Sequence, residues 1–251
     1  MPLIPLAYLV AALLAPPAAD TLRLTLVVDD TTRQRSLVHG AVLGVEEAAH
    51  TGALFGVVVQ LRVATAANSS GAARAYHQSA GSPPTSIAIV AGPADVCAGL
   101  GAAAAHDSTI VFDAGCAPSW SPRPANVFSL VSLPTASTGD DSTHLELWHW
   151  TLDRFGAEQL NQRYARRFGE RMDSPAWAGW AAVKIALDLA LHAHAAGAAR
   201  LRRQLDAPRQ QFDGQKGRPL YFAPGTRRLV QPLYRVAGSG DAARVVAEVA
   251  P

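Results

Sequence analysis

The stretch "TSIAIVAGPADVCAGLGAAAAHDSTIVFDAGC", residues 85–116, decides the fold. Two apolar runs without polar alternation flank a Gly-Pro loop and an Ala-rich segment, which predicts strand, loop, helix and strand in that order. Strands that lack alternation are covered on both faces, as in a parallel sheet built from βαβ units. This stretch therefore predicts two neighbouring strands of a buried parallel sheet.

The segments upstream repeat this pattern. A strand is predicted over residues 21–30, where it ends in two acids, and a second one over residues 55–65. Between them, residues 36–52 have the apolar spacing of a helix that stops at Gly52, and a weak helix is predicted around Ala72–Ser79. With a short strand before residue 133, the pattern predicts an α/β fold, a doubly wound (Rossmann-like) parallel sheet over residues 20–133.

The second half of the chain has a different pattern. Residues 134–147 are polar and rich in turn formers, which predicts a linker. Residues 148–206 predict helices that pack onto the α/β unit. Residues 207–251 hold two β-prone runs, 218–222 and 229–236, which predict a C-terminal β-ribbon made of a hairpin or of two crossing strands.

The first residues and the cysteines point to the same compartment. Residues 1–19 contain a short apolar core followed by small residues, which predicts a signal peptide and export to the periplasm. Cys97 and Cys116 suit an oxidising compartment, but the sequence leaves open whether they form a bridge. The net charge of +2 over 251 residues is close to neutral. The paired arginines lack interleaved aromatic residues, so no nucleic-acid partner is predicted.

The sequence contains no strong catalytic motif. It has neither a G-x-S-x-G elbow nor a phosphate-binding loop, and its histidine spacings do not place two imidazoles on one helical face. No cofactor and no metal site are predicted. Three acids at strand ends (Asp29, Asp30 and Asp113) would be the candidates of a cryptic enzyme site, but a binding module is the default expectation.

In open parallel sheets, ligands bind at the carboxyl ends of the strands. Small residues there let backbone N–H groups face a ligand, and a helix that begins near Ala94 favours an anion at its N-terminus. The candidate ligand-binding residues are Asp29, Asp30, Gly92, Pro93, Ala94, Asp95, Asp113, Gly115 and Cys116.

Several segments resemble the type I periplasmic binding proteins, the leucine/isoleucine/valine-binding-like receptors of ABC transporters. The resemblance rests on "HGAVLGVEEA", "IVAGPADV", "IVFDAGC", "SPAWAGWAAVKIALDLAL" and "DGQKGRPLYF". The tail, from "WHWTLDRFGAEQL" to "LVQPLYRV", is similar to the branch that accompanies PQQ-dependent alcohol dehydrogenase systems.

The resemblance implies a periplasmic receptor for a small organic molecule, with an ABC transporter membrane component or a periplasmic dehydrogenase as partner. Members of the family carry two lobes, and here the linker at 134–147 stands where most of the second lobe would be. Family members use a hydroxyl residue in the loops that match Ala94 and Cys116, so amino-acid binding is not expected. The alternative is a protein-interaction module, with Trp148 and Trp150 on an exposed face, that docks a dehydrogenase, a cytochrome or itself as a homodimer.

Overall fold

The computed structural model describes residues 20–79, 84–131, 143–208 and 210–250. Its centre is a five-stranded sheet in which every neighbouring pair is parallel, with strand order β2-β1-β3-β4-β5. The strands are β1 (Asp20–Val28), β2 (Val57–Thr65), β3 (Ile87–Gly92), β4 (Ile110–Cys116) and β5 (Val127–Ser129). All six residues of β3 are buried, which explains its unbroken apolar run. The predicted doubly wound α/β fold is confirmed.

Helices cover both faces of this sheet. They are α1 (Arg35–Leu54), α2 (Ser69–Ser79), α3 (Ala94–Ala104), α4 (Ala157–Phe168), α5 (Ser174–Ala193) and α6 (Ala198–Leu205). Side chains of α2 and α3 form the core on one face, and those of α1, α4, α5 and α6 form the larger core on the other.

Glycines let α1 and α5 approach closely. A Cβ atom at Gly40 would overlap the carbonyl oxygen of Ala176, and one at Gly179 would overlap that of Leu37. This contact brings the second half of the chain against the first. The helices of residues 148–206 are thereby held on the sheet that residues 20–131 build.

Two small antiparallel sheets complete the structure. One has the order β11-β10-β6 and consists of β6 (Thr143–Glu146), β10 (Leu233–Ala237) and β11 (Arg244–Val249). The other has the order β7-β8-β9 and consists of β7 (Phe212–Asp213), β8 (Pro219–Phe222) and β9 (Leu229–Val230).

The structure corrects several boundaries. Residues 143–146 of the expected linker form β6, which pairs with β10. The run expected as one strand over 229–236 is two strands in different sheets, separated at Gln231 and Pro232, because proline has no N–H to donate to a ladder. Helix α1 continues past Gly52 to Leu54. The predicted signal peptide (1–19) and residues 134–142 lie outside the described residues.

Trp148, which only the alternative of an interaction module places on an exposed face, is fully buried. Its indole stacks on that of Trp177, with ring centroids 6.2 Å apart, and donates a hydrogen bond to Asn161. Trp150 is partly buried, and the Arg171 guanidinium lies 4.0 Å from its ring centroid. These tryptophans therefore pack within the fold. Within the described ranges, no helix is both long and apolar enough to span a membrane.

Candidate functional site

The carboxyl ends of β1, β3 and β4 and the residues that directly follow them are here called the strand-end edge, and they contain all the residues predicted to bind a ligand. In the β1 loop, Asp30 is exposed and accepts hydrogen bonds from the N–H groups of Thr32 (2.7 Å) and Arg33 (3.4 Å). These backbone bonds lower the pKa of Asp30. Asp29 pairs with Arg33 at 2.9 Å and accepts from Gln34 at 3.3 Å. Asp30 therefore shapes the turn, while the Asp29 carboxylate lies against the sheet.

The β3 loop brings its backbone close to Asp29. Gly92 has φ +135°, a conformation that favours glycine, and a Cβ atom there would lie 3.0 Å from Oδ1 of Asp29. Pro93 follows as the N-cap residue without a side-chain hydrogen bond, and α3 begins at Ala94 as expected. Asp95 is exposed in the first turn. The first N–H groups of a helix have no partner within it, so this turn presents donors at the edge.

The β4 loop is organised by a buried carboxylate. Oδ1 of Asp113 accepts hydrogen bonds from the N–H groups of Gly115 (3.1 Å) and Cys116 (2.8 Å). Its Oδ2 pairs with Arg123 at 2.9 Å and accepts from the Ser129 hydroxyl at 3.0 Å. The Asp113 side chain is therefore fully engaged within the protein, and neither a free acid nor these two N–H groups are available to a ligand.

Cys97 and Cys116 form a disulfide with Cα atoms 6.2 Å apart. The sequence left this pairing open, and the structure shows it. The bond ties α3 to the end of β4, and Ala117 adds a hydrogen bond from its N–H to the carbonyl of Gly92 at 3.0 Å. The Cys116 sulfur is consumed by the bond, so this loop contributes shape rather than a reactive group.

The charges of the strand-end edge disagree with the expected anion site. The charges of Asp113 and Arg123 neutralise each other. The remaining charged side chains of the edge are three acids and one cation: Asp29, Asp30, Asp95 and Arg33. Asp95 also occupies the helix end where an anion would gain most from the dipole. Electrostatics at this edge therefore favour a neutral or cationic solute.

Two grooves of the described surface lie mainly outside the strand-end edge. One of about 640 Å³ runs along the outer side of α2 and α3, where Asp95 lines it together with Asn68 and His77. Another of about 640 Å³ lies between residues 151–157 and β11. Among the described residues, no three His, Cys, Asp or Glu side chains are grouped so that they could hold a metal ion.

Sequence reasoning missed Lys216, whose side chain is fully buried. Its Nζ donates hydrogen bonds to the carbonyl of Leu147 (2.6 Å), to Oε1 of Gln231 (2.7 Å) and to the carbonyl of Pro232 (3.2 Å). Burial lowers the pKa of Lys216 well below its usual value. Two lysines occur in the whole chain, and one stands between the turn residues Gln215 and Gly217. This placement is the only signal that the sequence offers.

The Lys216 network joins the two points where the chain passes between the β11-β10-β6 sheet and the rest of the protein. Leu147 follows β6, and Gln231 and Pro232 connect β9 to β10. Gln231 in turn donates from Nε2 to the carbonyl of Leu130, just after β5, at 2.7 Å. One buried cluster therefore fixes the small sheet relative to the parallel sheet.

The fold is that of a type I periplasmic-binding-protein lobe, and solved structures with the same fold belong to that class. A periplasmic binding protein from Burkholderia mallei is 10% identical, with TM-score 0.71, and the match covers 92% of this chain and 95% of that one. A leucine-binding protein from Thermotoga maritima is 8% identical, with TM-score 0.69 and coverages of 92% and 99%.

A third structure shows the same architecture with a bound aromatic acid. It is a solute-binding protein of an ABC transporter from Rhodopseudomonas palustris BisB5 in complex with 3,4-dihydroxybenzoic acid, 11% identical, with TM-score 0.69 and coverages of 92% and 97%. No protein-family model matches the chain, and no curated protein sequence does. Identities this low establish the fold alone.

Proposed function

We propose that the protein is an exported solute-binding protein, the periplasmic receptor of an ABC transporter for a small organic molecule. One observation carries the proposal: an open parallel sheet presents a rigid carboxyl edge, where the first turn of α3 is fixed by the Cys97–Cys116 disulfide. Ligands of open α/β sheets bind at that edge. A fold shared with solute-binding proteins of ABC transporters supports the same role.

The solute that suits this edge is neutral or cationic. The exposed acids Asp30 and Asp95 disfavour a carboxylate, and the Asp29 carboxylate lies beside Gly92. A hydroxyl or ammonium group could donate to these oxygens, while the first-turn N–H groups of α3 donate to an oxygen of the solute. Short alcohols and amines fit this description.

A link to PQQ-dependent alcohol oxidation is part of the proposal and rests on the resemblance of the tail. An alcohol is a better candidate solute than PQQ, because PQQ carries several carboxylates and the acids of the strand-end edge would repel them. Deleting the gene should then slow uptake of the alcohol by whole cells and leave the alcohol dehydrogenase activity of cell extracts unchanged. Reduced dehydrogenase activity in the extract would indicate a dehydrogenase-docking role instead.

The binding proposal is tested by thermal unfolding of the purified protein in the presence of single solutes. The panel contains short alcohols, amines, branched amino acids, carboxylic acids and PQQ. A ligand that binds only the folded state stabilises it by about 2.7 kcal/mol at 100 times its dissociation constant. We expect at least one alcohol or amine to raise the melting temperature by several degrees. A cooperative transition that no solute shifts would reject the proposal.

A second candidate function, an interaction module, is favoured by an exposed apolar patch at the outer edge of the sheet. Leu54 is 82% exposed, Phe55 66% and Val58 44%, and all three lie at or beside edge strand β2. Unpaired edge strands can pair with another chain. Sedimentation equilibrium over a range of concentrations tests whether this chain self-associates. Rising mass that Phe55→Asp abolishes would support the module, and a monomer at every concentration would reject self-association.

A further inference from the structure

A cleft of about 640 Å³ lies between residues 151–157 and strand β11. We call it the β11 cleft. Its volume falls in the range of small-molecule sites, which is about 300–1,000 Å³. It shares no residue with the strand-end edge. Its lining combines apolar side chains, two arginines and an amide, the mixture that fixes the orientation of an organic ligand.

Two residues of the lining have strained backbones. Phe155 has φ +56° and Gln215 has φ +57°, in the left-handed region that non-glycine residues rarely adopt. Phe155 is 63% exposed, and its ring covers Gly217, where a Cβ atom would overlap it. An exposed aromatic ring in this conformation gains little from burial. Such outliers cluster at ligand sites, where the surrounding structure holds them in place.

The side-chain amide of Gln215 also contains an unpaired hydrogen-bond acceptor. Its Oε1 is buried and has no partner in the structure. Buried polar atoms are nearly always hydrogen-bonded, so an unpaired acceptor requires an explanation. A ligand that donates an O–H or N–H to this oxygen would provide one.

The β11 cleft is also lined by two arginines that form no ion pair with the described residues. Arg154 and Arg244 are exposed, and no carboxylate among the described residues forms an ion pair with either. Glu248 lies 3.5 Å from Arg218, so Asp153 is the remaining unpaired acid of the lining. Two free guanidinium groups against one free carboxylate favour an anion, and guanidinium matches the geometry of a carboxylate.

Apolar surface completes the lining. Phe155 faces the cleft from one side, and Val246, which is 48% exposed, faces it from β11. We propose that the β11 cleft is a second binding site, separate from the strand-end edge, for a small carboxylate that carries an aromatic body and a hydroxyl group. Arg154 and Arg244 bind the carboxylate, the aromatic body lies on Phe155 and Val246, and the hydroxyl donates to Oε1 of Gln215.

Calorimetric titration of the purified protein with 4-hydroxyphenylacetate tests this site. We expect binding that Arg244→Ala and Arg154→Ala each weaken at least tenfold, because each removes one cation. Arg200→Ala is the matched control, since Arg200 is also exposed and lies on α6, away from the cleft. It should leave the affinity unchanged. Tyrosol, which keeps the ring and hydroxyl but lacks the carboxylate, should bind at least tenfold more weakly than the acid.

Phe155→Gly separates binding from stability. Glycine adopts the left-handed backbone without strain, so the variant should melt at the same or a higher temperature while it binds the probe more weakly. Three results would each overturn the proposal. They are no binding of 4-hydroxyphenylacetate at millimolar concentration, equal affinity for tyrosol and the acid, and wild-type affinity in both arginine variants. Ala94→Gln, at the strand-end edge, should not alter this affinity, so failure here and failure of the proposed function are distinguishable.

Discussion

Nζ of Lys216 lies 3.8 Å from the centroid of the Trp177 ring, and both side chains are buried. Trp177 belongs to α5 and donates from its indole N–H to the carbonyl of Gly214, at 3.1 Å. The aromatic face thus supports the ammonium from one side while three oxygens accept its hydrogen bonds. This contact links helix α5 of the main core to the two points, after β6 and before β10, where the chain leaves and enters the β11-β10-β6 sheet.

Replacing Lys216 by methionine should destabilise the protein by about 3 kcal/mol, because it leaves the acceptors of Leu147, Gln231 and Pro232 buried without donors. Urea unfolding measures the change. Lys184→Met is the matched control: the same substitution at the half-buried lysine of α5 should cost no more than about 0.5 kcal/mol. Equal effects of the two variants would show that the Lys216 network does not stabilise the fold.

The buried lysine also predicts a pH dependence. Burial holds the folded pKa of Lys216 below the unfolded value of about 10.4. Between these two values the unfolded chain binds the additional proton, so the free energy of unfolding rises with pH across that window and falls as pH is lowered through it. Unfolding free energies from pH 7 to 10 should therefore increase more steeply in the wild type than in Lys216→Met. Parallel profiles would contradict this.

Loss of the disulfide should destabilise the fold by about 3 kcal/mol, the value expected for closing a loop between residues 19 apart. The double variant Cys97→Ala/Cys116→Ala and the reduced wild type should unfold at similarly lowered urea concentrations. Reductant should have no effect on the double variant, which is the control. An unchanged midpoint in both would mean that the remaining contacts of the β4 loop suffice to hold it.

Asp113→Asn should loosen the strand-end edge and destabilise the protein by about 3 kcal/mol, because Arg123 loses its buried partner. Hydrogen exchange at the amides of Gly115 and Cys116 should become faster, since these amides donate to Oδ1 of Asp113. Asp95→Asn, at an exposed acid, should change stability by about 0.5 kcal/mol at most and leave both amides protected. Unchanged exchange in the Asp113 variant would show that the loop holds its shape without the carboxylate.

The parallel sheet could be predicted because its signal is local. Runs such as Ile87–Gly92 are apolar at every position, and a helix of small residues follows at once. Strand β6 could not be predicted, since Thr143–Glu146 contains two polar residues and a histidine and becomes a strand only by pairing with β10. Tertiary pairing of this kind overrides local composition.

The candidate site shows the same division between local and distant effects. That Asp29, Gly92 and Ala94 lie near one another followed from their positions at strand ends. The engagement of Asp113 could not be foreseen, because its partner Arg123 lies in an irregular segment whose path the sequence does not reveal. Lys216 was missed for the same reason, since all its acceptors are distant in sequence.

The most direct test of the central claim, that a solute binds at the strand-end edge, is a calorimetric dissociation constant for the alcohol or amine that stabilises the protein most. It should be measured for the wild type, Ala94→Gln and Ala102→Gln. Both variants place the same good helix former on α3, at its first turn and at an exposed position near its other end. We predict that Ala94→Gln weakens binding by about tenfold or more, which is about 1.4 kcal/mol, while Ala102→Gln binds like the wild type. Equal affinity in all three proteins would contradict the claim.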